Sequence, residues 1–424
     1  MRSVVLAFVT ILAGLCVGPA GAGEAAEGWK AYAVRDEIAP RSWTEHDAEG
    51  RLLLGLAGKG DAAVDGRWVR EAPVTAGRVY AFHAAYRTVR VATPERSVLA
   101  RVAWIDGSDE SRRAMEYPVT TSAPGEDGWA VLSGVYRAPE GAARARLELH
   151  LRWAADGEVL WRDVALRETE PPEPRRVRLA AVNHKPEGTK SPEENREVFG
   201  RLVEQAAGKG ADVVVLPEGI TVVGNGFTYE GAAEPVPGPT TTFLGKLARR
   251  HRVWVVAGLY EREGTRIYNT AVLVGRDGKL AGRYRKMSLP DEEIEGGITP
   301  GADTPVFETD FGRVGMMICW DSSYPEVARA LAVRGAEVIF LPIWGGQETL
   351  VSARAMENQV YIVASGYDFR TGIFDRRGQR IADAREDPEV VLADVDLGER
   401  TLWPWVRDWR ARIGREAPAW TDEP

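Results

Sequence analysis

Residues 191–219 read SPEENREVFGRLVEQAAGKGADVVVLPEG, and this stretch predicts a helix followed directly by a buried strand. Ser191, Pro192 and Glu194 form a helix start, because serine caps free backbone N–H groups and proline fits the first helical position. Apolar residues then recur at helical spacing until two glycines end the helix. Residues 212–216 follow as a continuous apolar strand, so helix and strand alternate here.

The same alternation continues along the C-terminal half of the chain. Such alternation predicts a layered α/β domain, in which polar residues at the strand ends form the functional site. The predicted strands are residues 177–182, 212–216, 253–257, 314–318, 338–342 and 361–365, and further helices are predicted over 241–251, 324–334 and 349–360.

The region before this domain, residues 23–167, has a different pattern. Short alternating strands are predicted over 78–86, 97–105, 130–137 and 145–151, and turn residues separate them. This pattern favours an all-β, jelly-roll-like sandwich domain. Residues 168–175, ETEPPEPR, are predicted to be a Pro/Glu linker, and residues 176–424 are assigned to the α/β domain.

The first 22 residues have the composition of a signal peptide. Arg2 precedes an apolar run over residues 4–17, and the small residues around Ala22 form a cleavage site. The run is shorter than the about 20 residues of a membrane-spanning helix. We therefore expect a protein that is exported to the periplasm or the extracellular space and has no membrane span.

Cleavage at this site leaves Cys319 as the single cysteine, since the other one, Cys16, lies in the signal peptide. Exported proteins usually pair their cysteines, so an unpaired one forms an intermolecular bridge, is an inert buried residue or is a reactive thiol. Residues 315–321 read GMMICWD and place Cys319 between an apolar strand and a predicted helix. The positive end of the helix dipole favours a thiolate at this position.

Two charged residues follow other predicted strands, and a cysteine nucleophile needs such partners as base and oxyanion stabiliser. Glu218 follows the strand of residues 212–216, and Lys286 ends a probable strand in GRYRKMSLP, residues 282–290. Only His184 and His251 occur after the linker, and neither lies in a plausible triad motif, which argues against a papain-like peptidase.

In this order and spacing, the glutamate, lysine and cysteine resemble the catalytic residues of the nitrilase, or carbon–nitrogen hydrolase, superfamily. The resemblance extends from Arg176 to about Gly398. It includes PGPT at residues 237–240, VVAG at 255–258, YNTA at 268–271, TPG at 299–301, RAMENQ at 354–359 and DVDL at 394–397.

The resemblance implies an αββα four-layer sandwich that forms a homo-oligomer, commonly a dimer, through its helical layer. It also implies that Glu218 is the general base and that Cys319 forms an acyl-thioester with an amide-like substrate. Lys286 and the backbone N–H of Trp320 would stabilise the oxyanion. The chemistry needs no cofactor and no metal.

Many family members have a second glutamate between the lysine and cysteine motifs. Residues 291–295, DEEIE, offer three choices, and Glu295 is assigned on its distance to the TPG motif. The cysteine motif reads Cys-Trp-Asp, ending at Asp321, rather than Cys-Trp-Glu. This difference favours amidase or carbamoylase chemistry over nitrile hydrolysis. Ser288 and Gly366 differ from residues that are frequent in the family, so the substrate stays open.

Two other functions stay open beside a hydrolase that releases ammonia or an amine. An acyltransferase of the same superfamily would use the same residues, and a glycan-binding protein would rely on the sandwich domain. That domain resembles galactose-binding-like carbohydrate-binding modules, and its tryptophans either stack on sugars or pack in the core. The net charge of −8 and the pI near 5.5 argue against nucleic acid as a partner.

Overall fold

A computed structural model describes residues 28–106, 109–403 and 407–416. The predicted signal peptide, residues 1–22, lies outside the described residues. The chain divides into two compact units, with the boundary between Glu170 and Pro171. We call them the N-terminal unit and the C-terminal unit.

The N-terminal unit consists of antiparallel strands in a five-stranded sheet, of order β1-β4-β10-β6-β7, and a six-stranded sheet, of order β2-β3-β11-β5-β9-β8, within its described residues. A short helix α1 covers Pro94–Ser97. The strands are β1 Lys30–Ala33, β2 Arg41–His46, β3 Leu52–Ala57, β4 Asp65–Pro73, β5 Val79–Val89, β6 Val98–Asp106, β7 Asp109–Glu116, β8 Val119–Ser122, β9 Ala130–Arg137, β10 Ala142–Arg152 and β11 Glu158–Thr169.

Side chains that alternate along these strands form one apolar cluster with members from both sheets. Phe82 of β5 and Leu147 of β10 are among its fully buried members. Most of the tryptophans of this unit pack in its interior: Trp29, Trp68, Trp104, Trp129 and Trp161 are buried, whereas Trp153 is 52% exposed. Packing therefore accounts for most of these aromatic side chains.

The linker is shorter than the sequence predicts. Glu168 and Thr169 belong to β11, where they pair with Tyr80 and Val79 of β5. The charge and β-propensity of these two residues suit an exposed strand end as well as a loop, so composition alone did not separate them. Prolines then keep residues 170–175 out of both neighbouring strands.

The C-terminal unit contains two mixed sheets of six strands each within its described residues, of order β16-β15-β14-β13-β12-β23 and β17-β18-β19-β20-β21-β22. Its strands are β12 Arg176–Asn183, β13 Val213–Val215, β14 Trp254–Glu263, β15 Arg266–Val274, β16 Leu280–Arg285, β17 Val306–Glu308, β18 Arg313–Met316, β19 Val338–Pro342, β20 Tyr361–Ser365, β21 Gly372–Phe374, β22 Arg380–Asp383, β23 Glu389–Asp396, β24 Leu402–Trp403 and β25 Arg407–Asp408. Its helices are α2 Pro192–Gly208, α3 Tyr229–Ala232, α4 Pro239–His251, α5 Asp291–Glu295, α6 Pro325–Val333 and α7 Glu348–Asn358.

Each sheet has parallel strands at its centre and antiparallel strands at its edges. β12, β13 and β14 run parallel, as do β18, β19 and β20. Central parallel strands are covered on both faces, which explains their continuous apolar sequences. β12, the first strand of the unit, pairs with β23 from Arg176↔Asp396 to Asn183↔Glu389, so the two ends of the unit lie side by side.

Apolar clusters show what covers the two faces of the first sheet. One cluster joins Val215 of β13 to Ile339 of β19, and it also includes Leu331 of α6 and Ala355 of α7. The alternate residues of the first sheet pack against α2 and α4 in a second cluster, to which Phe199 and Leu244 belong. Among the described residues, no helix is long and apolar enough to cross a membrane.

Helix α2 starts where the sequence predicts. The Ser191 hydroxyl accepts a hydrogen bond from the Glu194 backbone N–H at 3.3 Å, and Pro192 is the first helical residue. The Glu194 carboxylate accepts from the backbone N–H of Lys190 at 2.7 Å, one residue earlier than in a standard capping box. The helix ends at Gly208, and β13 follows five residues later.

The tail after β23 packs on the ends of two helices. Arg410 donates hydrogen bonds to the carbonyls of Ala332 and Ala336, beside the end of α6, and to that of Asn358 at the end of α7. A cation at helix C-termini stabilises carbonyls that lack partners within the helix. Arg410 therefore fixes the tail to both helices.

Candidate active site

Glu218 lies in the loop that follows β13, and β14 holds this loop in place. The backbone N–H of Gly258 in β14 donates to the carbonyl of Pro217 at 3.1 Å, and the N–H of Ile220 donates to the carbonyl of Gly258 at 2.9 Å. A Cβ atom at position 258 would lie 2.6 Å from the Cα of Glu218. Glycine at this position therefore allows the close approach that places the carboxylate.

Lys286 directly follows β16, and its ammonium is buried. Its backbone N–H donates to the carbonyl of Asn269 at 2.8 Å, and its own carbonyl accepts from the N–H of Gly301 at 2.8 Å. The YNTA and TPG motifs thus hold the lysine backbone from two sides. The side chain is 1% exposed, so its charge depends on nearby carboxylates.

Two carboxylates compensate the charge of Lys286. Its Nζ lies 3.0 Å from Glu218 Oε1 and 3.0 Å from Glu293 Oε2. Burial alone would lower the pKa of the lysine, but the charges of Glu218 and Glu293 raise it above its usual value. Lys286 is therefore a fixed cation at the centre of the site.

Asn269 connects the two carboxylates, which the sequence motif alone did not reveal. Its side-chain Nδ2 donates to Glu218 Oε1 at 2.7 Å and to Glu293 Oε1 at 2.6 Å. Glu218 Oε1 thus receives both the amide and the ammonium. Glu218 Oε2, by contrast, is buried without a hydrogen-bond partner among the described residues.

The glutamate of α5 that lies beside Lys286 is Glu293, and not Glu295, to which the sequence analysis assigned this position. Glu293 is 4% exposed and contacts Lys286, whereas Glu295 is exposed at the end of α5. α5 covers only Asp291–Glu295, so residues two apart point in different directions on its single turn. Burial raises the pKa of the Glu293 carboxyl, and the charge of Lys286 opposes this shift.

Cys319 follows β18 and begins a 3₁₀ turn, Cys319–Ser323. Its backbone φ is +43°, a left-handed conformation that non-glycine residues rarely adopt. The thiol is partly buried and donates to the carbonyl of Gly345 at 3.4 Å. Trp320, whose backbone N–H was predicted to stabilise an oxyanion, is the next residue, and its side chain is 41% exposed.

Burial of Cys319 opposes the thiolate that the sequence predicts. Burial raises the pKa of Cys319 to about 12, and the Glu218 charge adds to this effect while Lys286 opposes it. The helix that follows the strand begins only at Pro325, after the short 3₁₀ turn. The dipole of α6 therefore starts too far from the sulfur to outweigh burial.

Asp321 anchors the loops that carry the lysine and the cysteine. Its buried carboxylate accepts hydrogen bonds from the backbone N–H of Ser288 at 2.8 Å and of Ile318 at 2.9 Å. The Tyr284 hydroxyl donates to the same group at 2.7 Å. Sequence reasoning used Asp321 as an indicator of substrate type, whereas the structure shows a residue that fixes the loops next to Lys286 and Cys319.

Aromatic side chains pack beside the catalytic loops. Tyr229 and Tyr260 stack with ring centroids 4.6 Å apart, and Trp344 meets Tyr367 edge-on at 5.0 Å. Burial raises the pKa of Tyr260 and Tyr367, and the charge of Glu218 raises it further. The Tyr367 hydroxyl is buried with no hydrogen-bond partner among the described residues. We call these four side chains the aromatic wall.

The loops thus bring together the three residues that the sequence singled out, with Glu293 and Asn269 in addition. In the part of the chain that the structure describes, no group of three or more His, Cys, Asp or Glu side chains is arranged to hold a metal ion. A thiol, a carboxylate and an ammonium at strand ends are the composition of a cysteine-dependent hydrolase that has no histidine partner.

Comparison with known proteins agrees with this class. The chain belongs to the carbon–nitrogen hydrolase family, whose model matches residues 178–404, more than half of the 424 residues. Together with amidases and nitrilases among its relatives, this identifies a hydrolase of non-peptide carbon–nitrogen bonds.

Three relatives illustrate the similarity. An omega-amidase from Danio rerio is 33% identical over 46% of this chain and 80% of its own length. A nitrilase from Pyrococcus abyssi is 35% identical over 52% of this chain and 90% of its own length. A carbon–nitrogen hydrolase structure from Helicobacter pylori is 26% identical, with a TM-score of 0.46 over 53% of this chain and 90% of that one.

Proposed function

We propose that this protein is an exported amidase or carbamoylase that releases ammonia or an amine through a Cys319 acyl-thioester. The observation that carries the proposal is the buried Lys286 ammonium, 3.0 Å from both Glu218 and Glu293. A cation in this position is suited to stabilise the oxyanion that forms when a thiol attacks a carbonyl carbon. The omega-amidase and amidase relatives favour a small-molecule amide as the substrate.

Acylation begins with a proton transfer, because a thiol with a pKa of about 12 is neutral at physiological pH. Oε1 of Glu218 is engaged by Lys286 and Asn269, so Oε2 is the oxygen that accepts the thiol proton. The sulfur electron pair forms the bond to the carbonyl carbon as the carbonyl π electrons move to oxygen. Lys286 and the Trp320 backbone N–H stabilise this oxyanion.

The tetrahedral intermediate collapses when the carbon–nitrogen bond breaks, and Glu218 returns the proton to the leaving nitrogen. Water then attacks the thioester, with Glu218 accepting a proton and delivering it to the Cys319 sulfur as the acid product leaves. Glu293 holds Lys286 from its second side. The aromatic wall provides an apolar surface for the acyl group. The burial of Tyr260 and Tyr367 near Glu218 supports this role.

The decisive experiment is an ammonia-release screen over primary amides, carbamoyl compounds and nitriles, with the Cys319→Ala variant as the background control. We expect turnover of at least one amide or carbamoyl compound by the wild type and none by the variant. Turnover by a folded Cys319→Ala protein would contradict the mechanism. With an amine acceptor added, a hydrolase still releases the free acid, whereas an acyltransferase forms a new amide.

A matched pair of substitutions tests the role of the second glutamate. Glu293→Gln removes a buried carboxylate 3.0 Å from the lysine, and Glu295→Gln makes the same change on the exposed side of the same turn. We expect Glu293→Gln to lower kcat by about tenfold or more and Glu295→Gln to leave it unchanged. Equal effects of the two substitutions on kcat would show that Glu293 has no specific role in catalysis.

The architecture and partners complete the proposal. The two sheets of the C-terminal unit share an apolar core. Helices α2 and α4 pack on one side of the first sheet, and α6 and α7 contribute to the shared cluster, which supports an αββα four-layer arrangement.

We also propose signal-peptide cleavage after Ala22, homodimerisation, and a galactose-binding-like role for the N-terminal sandwich with a glycan as ligand. Mass determination of the mature protein, light scattering and glycan titration test these three points in turn.

A further inference from the structure

The N-terminal unit contains a cavity of about 530 Å³ where two of its strands diverge. β3 and β11 pair only as far as Leu54↔Trp161. Beyond this point β11 shifts its register against β5 between Arg162 and Ala165, and Asp163 takes a left-handed φ of +54°. Such bulges open a sheet locally, and the volume is in the range of small-molecule sites, about 300–1,000 Å³.

Arginines predominate among the charged residues that line the cavity, and two of them, Arg51 and Arg162, already pair with nearby carboxylates. Arg51, Arg70, Arg162 and Arg167 line it, and Asp163 is the acidic residue in the lining. The formal net charge of the whole chain is −8, so this concentration of arginines is not a general property of the surface. Guanidinium groups form paired hydrogen bonds with carboxylates, which makes an organic acid the matching ligand class.

The arginines are held in place by neighbouring groups. Arg51 Nε lies 2.7 Å from Asp47 Oδ2, and Arg162 lies 4.0 Å from the same carboxylate. Arg70 stacks over the Trp29 ring at 4.7 Å, so its guanidinium also has a fixed plane. Side chains fixed before binding lose little conformational freedom when a ligand arrives.

A second observation indicates a missing hydrogen-bond acceptor. Trp161 lines the cavity and is completely buried, yet its indole Nε1–H has no hydrogen-bond partner among the described residues. The buried Trp68 and Trp104, by comparison, donate to the Gly55 carbonyl and to Glu116. Buried indole N–H groups normally find an acceptor, so Trp161 is a residue of the cavity lining whose donor is left open.

We propose that this cavity binds a small organic ligand with a carboxylate group. The arginines bind the carboxylate, an oxygen of the ligand accepts the Trp161 N–H, and the body of the ligand lies against the apolar lining residues Leu52 and Val164. This site is independent of the hydrolase chemistry, and among the glycans proposed above it would bind only those that carry a carboxylate. A neutral sugar offers the acceptor oxygens but not the anionic group.

Titration calorimetry on the full chain tests the proposal with matched pairs of ligands. Glucuronate and glucose share a ring size, as do benzoate and benzyl alcohol, and each pair differs in the carboxylate. We expect saturable binding of at least one carboxylate with one site per chain, weakened at higher salt. The neutral member of that pair should bind at least tenfold more weakly. No saturable binding of either carboxylate, or equal binding within each pair, would overturn the proposal.

Two substitutions locate the site. Trp161→Phe removes the N–H while retaining an aromatic ring, and Arg167→Gln removes a charge at the exposed end of the cavity. Both should weaken carboxylate binding at least tenfold, with the fold checked by circular dichroism. Trp104→Phe, a buried tryptophan outside the lining, should leave the affinity unchanged. Unchanged affinity in both site variants would show that the ligand binds elsewhere and would refute the assignment.

Discussion

Replacing Lys286 with methionine tests the electrostatic core of the site. The substitution keeps a long unbranched side chain and removes the charge that lies 3.0 Å from each of two buried carboxylates. At an effective dielectric constant of about 20, each of these ion pairs is attractive by about 5 kcal/mol. Desolvation offsets part of this, and removing one partner of a buried ion pair typically costs about 3–5 kcal/mol. We expect the C-terminal unit to lose stability of this size at pH 7.

The loss should depend on pH in a defined direction. The raised pKa of Lys286 keeps its contribution fully present below the unfolded pKa of about 10.4, so this term is constant between pH 5 and 8. Without the lysine, whose charge opposes the shift, the pKa of Glu293 rises further, and folding takes up a proton. As the pH rises between the unfolded and the folded pKa of that carboxyl, the free energy of unfolding of the variant should therefore fall by about 1.4 kcal/mol per pH unit.

Urea unfolding of the variant and the wild type at pH 5.5 and pH 8 measures this difference. Lys185→Met is the matched control, because Lys185 pairs with Asp368 at the surface and such pairs contribute about 0–1 kcal/mol. Adding Glu293→Gln to Lys286→Met should restore part of the lost stability. A deficit that is independent of pH and unchanged by the second substitution would refute the reasoning.

Three further predictions concern the loops of the site. Gly258→Ala should lower kcat by at least tenfold in a steady-state assay, because its Cβ would lie 2.6 Å from the Glu218 Cα; unchanged kinetics would mean that the loop adapts freely. Asp321→Asn should cost about 1–3 kcal/mol in urea unfolding and slow acylation, since an amide cannot accept from all three donors of the carboxylate. Iodoacetamide labelling of Cys319 should accelerate up to tenfold per pH unit from pH 8 to pH 11, because the thiol pKa is about 12. A plateau near pH 9, with Cys319→Ala as the blank, would contradict the raised pKa.

Local sequence patterns were sufficient for the elements that build the C-terminal unit. The prediction of residues 338–342 coincides with β19 and that of residues 361–365 with β20. Both are buried parallel strands, whose apolar runs are unmistakable. β14 was predicted only over residues 253–257 but extends to Glu263, because its polar second half pairs with β15 and places Glu261 among arginines. The polar residues at the end of β14 fall outside the apolar run on which the sequence prediction rested.

The sequence was sufficient to predict the chemically distinctive residues of the site, but not the residues that position them. Glu218 and Cys319 follow apolar strands, Lys286 ends a probable strand, and their order and spacing singled them out. Asn269 has no charge and lies inside a strand, so only the structure reveals that its amide connects two carboxylates. Glu293 and Glu295 differ only in which side of one helical turn they occupy, and a short acidic sequence does not specify that side.

The pairing of β12 with β23 has a consequence for how the protein is made. These strands are neighbours in the sheet, yet Arg176 and Asp396 are separated by most of the C-terminal unit. Contacts between distant residues slow folding because a long loop must close first. The N-terminal unit contains all the strands of its two sheets once Thr169 has been synthesised, whereas the first sheet of the C-terminal unit stays incomplete until β23 emerges. We therefore expect nascent chains stalled before residue 389 to carry a folded N-terminal unit and a protease-sensitive hydrolase unit.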